Sequence, residues 1–206
     1  QTPESRFDKT EEPYNPPSND WMQTFTGRAF FPLAPRAEDV NEFDIAHSLA
    51  FQCRYNGNTK KFYSVAEHSY HMSYIVPKED ALWALLHDAP ETYIGDMVRP
   101  LKKAMPDFRA ADERIMEVIC EKFGLPIGMP ESVKEADNRI IENERLALLV
   151  DPPLPWTVHG DPYPHLVIEA WNPELAEYKF YNRLKELLQD REIEAAKKFS
   201  DMMRDK

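Results

Sequence analysis

Ala81-Leu82-Trp83-Ala84-Leu85-Leu86-His87-Asp88 is an apolar helical run that closes on a histidine–aspartate pair. Two other helix-compatible segments carry side chains of the same kind. His68 lies in Val65-Ala66-Glu67-His68-Ser69, and Asp137 lies in Val133-Lys134-Glu135-Ala136-Asp137-Asn138-Arg139-Ile140-Ile141. On the first of these, Val65, His68, Met72 and Ile75 share a helical face; on the second, Val133, Asp137, Ile140, Ile141 and Leu148 do. Both ligand-type residues therefore point into a core. Burying an imidazole or a carboxylate is costly unless something compensates it. A divalent cation does so, because histidine nitrogen and aspartate oxygen are what such ions bind. Alone, His68 reads as a hydrogen-bonded core histidine and Asp137 as a buried salt-bridge partner. The conjunction favours a metal held by His68, His87, Asp88 and Asp137. Neighbours on a helix diverge by about 100°, yet His87 and Asp88 differ in length and can converge on one ion.

The elements around these segments are mostly helical. Trp21 to Phe31 has β-favouring residues about Gly27 and predicts a short hairpin. Helices are predicted from near Glu42 to Cys53 and from Ser64 to Val76, the second opened by a Ser64/Glu67 capping box. Further helices are expected over about Glu79 to Ala89, with a kink at Pro90, and over Phe108 to Phe123. A second capping box, Ser132/Glu135, opens one to about Leu149. Residues 151–165 are proline-rich and read as an irregular loop, and Asn172-Pro173 begins the last helix. Residues 1–20 read as a mobile arm, and 21–206 as a single all-α domain with a short N-terminal β hairpin.

The chain has 206 residues, 42% hydrophobic and 30% charged, which suits one sizeable core. A net charge of -11 argues against a broad basic face for a nucleic-acid polymer and leaves room for a small anion held by a metal and a few local cations. Cys53 and Cys120 read as buried thiols rather than a disulfide framework, as in reducing compartments. No run approaches a membrane span or a signal-peptide core, so a cytoplasmic location is expected.

The pattern H…HD…D resembles the signature of the HD-domain superfamily of metal-dependent phosphohydrolases. The likeness covers roughly residues 21–150 and implies an HD-domain helical bundle. Leu85-Leu86-His87-Asp88-Ala89-Pro90-Glu91-Thr92-Tyr93-Ile94-Gly95-Asp96, followed by Pro100-Leu101-Lys102, is similar to the H-D-x-x-E-x4-D…P-x-K run of bacterial 5′-deoxynucleotidases. It is equally similar to phage deoxynucleoside triphosphohydrolases, including those acting on dATP. Cys53-Arg54-Tyr55-Asn56 and Ser64 to Ser69 match the family's upstream arginine and first metal histidine.

The resemblance implies Glu91 and Asp96 as the groups that orient or deprotonate water, where spacing alone reads a helix-end Glu and a turn Asp. It implies Arg54 and Lys102 as phosphate contacts and Tyr55 as a ring against the deoxyribose. His71 reads as supporting or structural, His47 as a packing residue, and Glu67 as explained by capping; His159 and His165 carry no pattern. The expectation is a divalent metal (Zn, Co, Mn or Mg), a small deoxynucleotide substrate and a homo-oligomer. Triphosphohydrolysis of a dATP-type substrate is favoured by Trp21-Met22-Gln23-Thr24-Phe25-Thr26-Gly27, which with Cys53 to Gly57 resembles phage-associated relatives. A 5′-deoxynucleotidase acting on monophosphates, a ribonucleotide or cyclic-nucleotide phosphodiesterase and a non-catalytic metal-stabilised nucleotide-binding protein are the alternatives.

Overall fold

The structure is a computed structural model that describes residues 20–156 and 160–204. The arm expected over 1–20 falls almost wholly outside the described residues, as does His159. Among the described residues the chain is mostly α-helical. Its two strands, β1 (Met22–Gln23) and β2 (Ala29–Phe30), form an antiparallel hairpin with Met22 opposite Phe30. Gly27 supplies the positive φ of 82° that this turn requires.

Helix α1 (Glu42–Phe51) starts where the Asn41 side chain accepts from the amides of Phe43 and Asp44. It stops two residues short of the expected end, because Gln52 and Cys53 turn extended and Cys53 bridges to Ser64. Cys53 is consequently half-buried, while Cys120 is buried as expected. Helix α2 (Val65–Ile75) begins at Ser64, whose hydroxyl accepts from the Glu67 amide. Only half of the expected capping box forms. The Glu67 carboxylate turns away and accepts the backbone N–H groups of Glu169, Ala170 and Trp171 at 3.2, 2.9 and 2.7 Å. Capping thus does not account for Glu67: it fastens the approach to the last helix.

Helix α3 (Ala81–Leu86) is shorter than expected at both ends. Pro90 has no N–H for the Leu86 carbonyl, so the helix cannot continue through it, and α4 (Glu91–Ile94) starts anew just after the proline. Residues 99–104 then form α5 (Arg99–Ala104), followed by α6 (Pro106–Phe123), which Gly124 ends in the left-handed region. Helix α7 (Glu131–Leu148) opens without the Ser132/Glu135 capping box, because the Ser132 hydroxyl donates to Asp80 instead. Helix α8 (Pro173–Arg204) closes the fold.

Helix α8 packs on α1, α2 and α3. Ile45, Leu49, Leu85, Leu86, Ile115, Ile119, Phe180 and Leu184 belong to the main core. Met72, Trp83, Cys120, Val133 and Ile140 form a second cluster, in which α2, α3, α6 and α7 meet. The ligand-bearing positions of α2, α3 and α7 are thereby brought to one place. Among the described residues no helix is long and apolar enough to cross a membrane.

Candidate metal centre

His68 is fully buried on α2, and His87 sits at the C-terminal end of α3, also buried. Their Nε2 atoms stand 3.2 Å apart. Asp137, on α7, places Oδ1 at 3.3 Å from the first and 3.9 Å from the second. His68, His87 and Asp137 together could hold a metal ion, each offering one ligand atom within 4.8 Å of the others. Asp88 adds an Oδ2 at 3.2 Å from His87 Nε2 and 3.7 Å from His68 Nε2.

The hydrogen bonds on the far sides of the rings decide what these atoms can accept. A carbonyl oxygen only accepts, so His87 Nδ1, 2.7 Å from the Ala84 carbonyl, carries the proton. His68 Nδ1 lies 2.6 Å from Glu144 Oε1 and donates to it in the same way. Both Nε2 lone pairs then face one another and two carboxylates. That arrangement is repulsive without a cation or a proton between them. The spacing fits a cation: two nitrogens bonded at about 2.0–2.1 Å to one tetrahedral ion lie roughly 3.3–3.4 Å apart.

Without metal, a proton takes the cation's part. Burial and the Arg54 charge press the His68 pKa down, but Glu144 and Asp137 outweigh them and lift it to about 9. Burial opposes ionisation of Asp137, yet the hydrogen bond and charge of His68 and the charge of His87 hold its carboxyl well below the usual range. His87, His68 and Arg54 do the same for Asp88. A raised histidine pKa stabilises the fold fully below the ordinary value of 6.5, and that stabilisation is lost as pH rises through 9. In chelator, the melting temperature is expected to fall between pH 6.5 and 9. A divalent ion displaces the same proton, so the thermal upshift on adding Zn²⁺ or Mn²⁺ should grow over this range. An upshift that shrinks toward alkaline pH would contradict the assignment.

Glu144 organises the back of the site and escaped the sequence reading. It is fully buried on α7 and accepts from Tyr63 Oη at 2.9 Å, Tyr55 Oη at 2.5 Å and His68 Nδ1. Arg54 Nε lies 3.6 Å from its other oxygen. Burial opposes its charge, but Arg54 and His68 prevail and bring its pKa down to about 2. Its position seven residues after Asp137 puts it two helical turns along the same face, which is the signal that could have revealed it.

Arg54 donates to Asp88 Oδ2 at 3.2 Å and is held between Asp88 and Glu144. The chain leaves it through Tyr55 and Asn56, two non-glycine residues with φ of 56° and 51°. Such conformations cost on the order of 1–3 kcal/mol each and persist where the surroundings impose them. Here the Tyr55–Glu144 bond does so. The ring of Tyr55 is 6.4 Å from that of Trp156.

Glu91 is buried, and its Oε2 has no hydrogen-bond partner. Burial, with Asp88 and Asp96 adding, pushes its carboxyl well above the usual range. Asp96 is half-buried and raised by burial and Asp88. Gln52 ties the two together, its amide donating to the Glu91 carbonyl at 3.0 Å and its oxygen accepting the Asp96 N–H at 3.1 Å. Lys102 is paired with Asp112 at 3.2 Å. Burial opposes its charge, but Asp112, and after it Glu91 and Asp88, raise its pKa. His71 faces Glu67 and Trp171 and is not one of the grouped ligands, and His47 stacks between Phe25 and Phe51.

The chain is 41% identical over 138 residues to the uncharacterized protein YfdR of Escherichia coli K12, an alignment spanning 67% of this chain and 78% of that one. The chain belongs to the family of YfdR. An uncharacterized protein of Rhodobacter capsulatus is 38% identical over 126 residues, 56% of this chain and 64% of that protein, so just under two thirds of the latter is spanned. No family model matches the chain.

Proposed function

We propose that this protein is an HD-type metal-dependent phosphohydrolase acting on deoxynucleotides, with a dATP-type deoxynucleoside triphosphate as the favoured substrate. The observation that carries the reading is the pair of facing histidine Nε2 atoms with Asp137, together with a buried Glu91 whose Oε2 has no hydrogen-bond partner. A divalent ion held by His68, His87 and Asp137, with Asp88 alongside, supplies Lewis-acid charge at phosphorus and makes a nearby water more acidic.

The side chains do the rest. Arg54 presents a planar fork for phosphate oxygens, and Lys102 approaches from α5. A positive charge at the histidines draws the Glu91 carboxyl back toward its ionised form. In that form Glu91 takes a proton from the attacking water, and Asp96 orients the water. The water oxygen bonds to the α-phosphorus, the bond to the sugar 5′ oxygen breaks, and that oxygen takes up a proton. Deoxynucleoside and triphosphate leave. Tyr55, one residue from Arg54, would meet the deoxyribose.

The test is a screen of all deoxynucleoside mono- and triphosphates with Mg²⁺, Mn²⁺, Co²⁺ and Zn²⁺, products resolved by chromatography. Deoxynucleoside and triphosphate are the expected products. Release of orthophosphate from monophosphates alone would make the protein a 5′-deoxynucleotidase, and no turnover with any metal would make it a binding protein. In the active combination, Arg54→Ala should cost about 1.5–3 kcal/mol in kcat/KM, the scale of a hydrogen bond to a charged group. The loss should be equal for every base, because all share the phosphate. Tyr55→Ala should instead narrow the preference for deoxyribose over ribose.

A further inference from the structure

Arg99 opens α5, between Asp96 and Lys102 in the chain. Its guanidinium donates from Nη2 to Asp137 Oδ2 at 2.7 Å and from Nη1 to Asn138 Oδ1 at 3.0 Å. Asp137 presents its other oxygen to His68 and His87. Arg99 therefore stands one carboxylate away from the facing histidines. Arg54 stands on Asp88, and the two arginines differ in setting. The side chain of Arg54 is 12% exposed, wedged between Asp88 and Glu144; that of Arg99 is 51% exposed. Arg99 can turn from Asp137 to an incoming anion without leaving a buried charge unpaired.

We propose that Arg99 binds the outer phosphates of a triphosphate and so sets the site's preference for triphosphates over monophosphates, an inference that rests on the phosphohydrolase reading above. A single phosphoryl group at the histidines would be met by Arg54, which stands on Asp88, and by Lys102, whose charge burial opposes and Asp112, Glu91 and Asp88 favour. Arg99 lies beyond that group, past Asp137, where a monophosphate has no atom to offer and a longer phosphate chain does. Asn138, which holds Arg99, also borders a cleft of about 700 Å³ whose lining carries Lys134 and Arg139 but also Glu131, Glu135 and Asp161, so Arg99 itself is the cation that this inference rests on. Lys102 lies three residues along α5 from Arg99, so both cations lie on one side of the helix. A guanidinium suits this task, since its planar fork matches adjacent phosphate oxygens where an ammonium offers a point charge.

The test is calorimetric titration of the full-length chain with inorganic triphosphate and with orthophosphate, both in the presence of Mn²⁺, for the wild type, Arg99→Gln and Arg99→Lys. Wild type should bind triphosphate more tightly than orthophosphate. Arg99→Gln should weaken triphosphate about tenfold, the scale of one charge-assisted contact, with little change for orthophosphate and for Mn²⁺ itself. Arg99→Lys should recover part of the loss. If Arg99→Gln weakens Mn²⁺ and both anions in parallel, Arg99 acts only by steadying Asp137, and the proposal is overturned. Unchanged triphosphate affinity overturns it as well. The selective loss in a protein that hydrolyses no deoxynucleotide would retain Arg99 as a polyphosphate contact and remove the phosphohydrolase reading. Hydrolysis without a chain-length effect of Arg99→Gln would do the reverse.

Discussion

Glu144→Ala is expected to destabilise the protein by about 3–5 kcal/mol, the range for removing one partner of a buried ionic group. The size follows from what Glu144 satisfies. Its two oxygens accept from Tyr55, Tyr63 and His68, and Arg54 is within ion-pair reach. With the carboxylate gone, the Arg54 charge is compensated by Asp88 alone, and the buried Tyr63 hydroxyl, the half-buried Tyr55 hydroxyl and an imidazole N–H lose their acceptor. In a chain of this length each kcal/mol moves the melting temperature by roughly 2–4 °C, so a drop on the order of 10 °C is expected by calorimetry. Glu144→Gln separates stability from metal binding. The amide still offers an oxygen, but it lacks the charge that favours a donating Nδ1–H on His68. Metal affinity should fall about 10–100-fold, the usual cost of losing the partner behind a ligating histidine. Tyr63→Phe removes one of the donors and keeps the carboxylate; it should cost about 1 kcal/mol and leave metal affinity nearly unchanged. If Glu144→Gln binds metal as tightly as wild type, His68 does not depend on Glu144 for its orientation, and the account of the facing lone pairs loses its basis.

The convergence of His68, His87 and Asp137 was legible because helical periodicity turns His68 and Asp137 inward, although Asp137 ends up half-buried at the edge of the core rather than within it. The helical fold with its small hairpin followed from the same periodicity and from the turn at Gly27. What could not be read depended on contacts between distant segments. Glu67 had a sufficient local explanation in the Ser64 cap, yet its carboxylate is committed to amides about a hundred residues away. Ser132 offered an equally good local cap and bonds to Asp80 instead. No local pattern marks Arg99, and its pairing with Asp137 appears only in the fold, where its guanidinium reaches α7. Glu144 carries the plainest warning. Its spacing from Asp137 marks the inward face of α7, but the reason a charge is tolerated there lies in three donors and an arginine from other segments.

Glu91→Gln should keep the fold and the metal but lose about 10²–10⁴-fold in kcat, the contribution of a positioned general base. The premise is in the structure: Glu91 is buried, its Oε2 has no partner, and burial together with Asp88 and Asp96 raises its pKa well above the usual carboxylate value. A carboxylate in that setting is poorly solvated and so a stronger base than an exposed one. Glutamine matches its volume and removes its basicity, so packing against the Gln52-tied turn is preserved while proton transfer is lost. The pH profile adds a criterion that a packing role would not meet. With Glu91 acting as base, kcat/KM should rise with pH through the Glu91 ionisation on the acid side and then level off, and the acid limb should disappear in Glu91→Gln. Asp96→Asn, which leaves Glu91 in place but removes the negative charge that helps to raise it, should shift that limb to lower pH. A Glu91→Gln enzyme with wild-type kcat, or one that retains the acid limb, would mean that the proton goes elsewhere. A limb that stays in place in Asp96→Asn would mean that Asp96 does not act on Glu91, and that the raised pKa comes from burial and Asp88 alone.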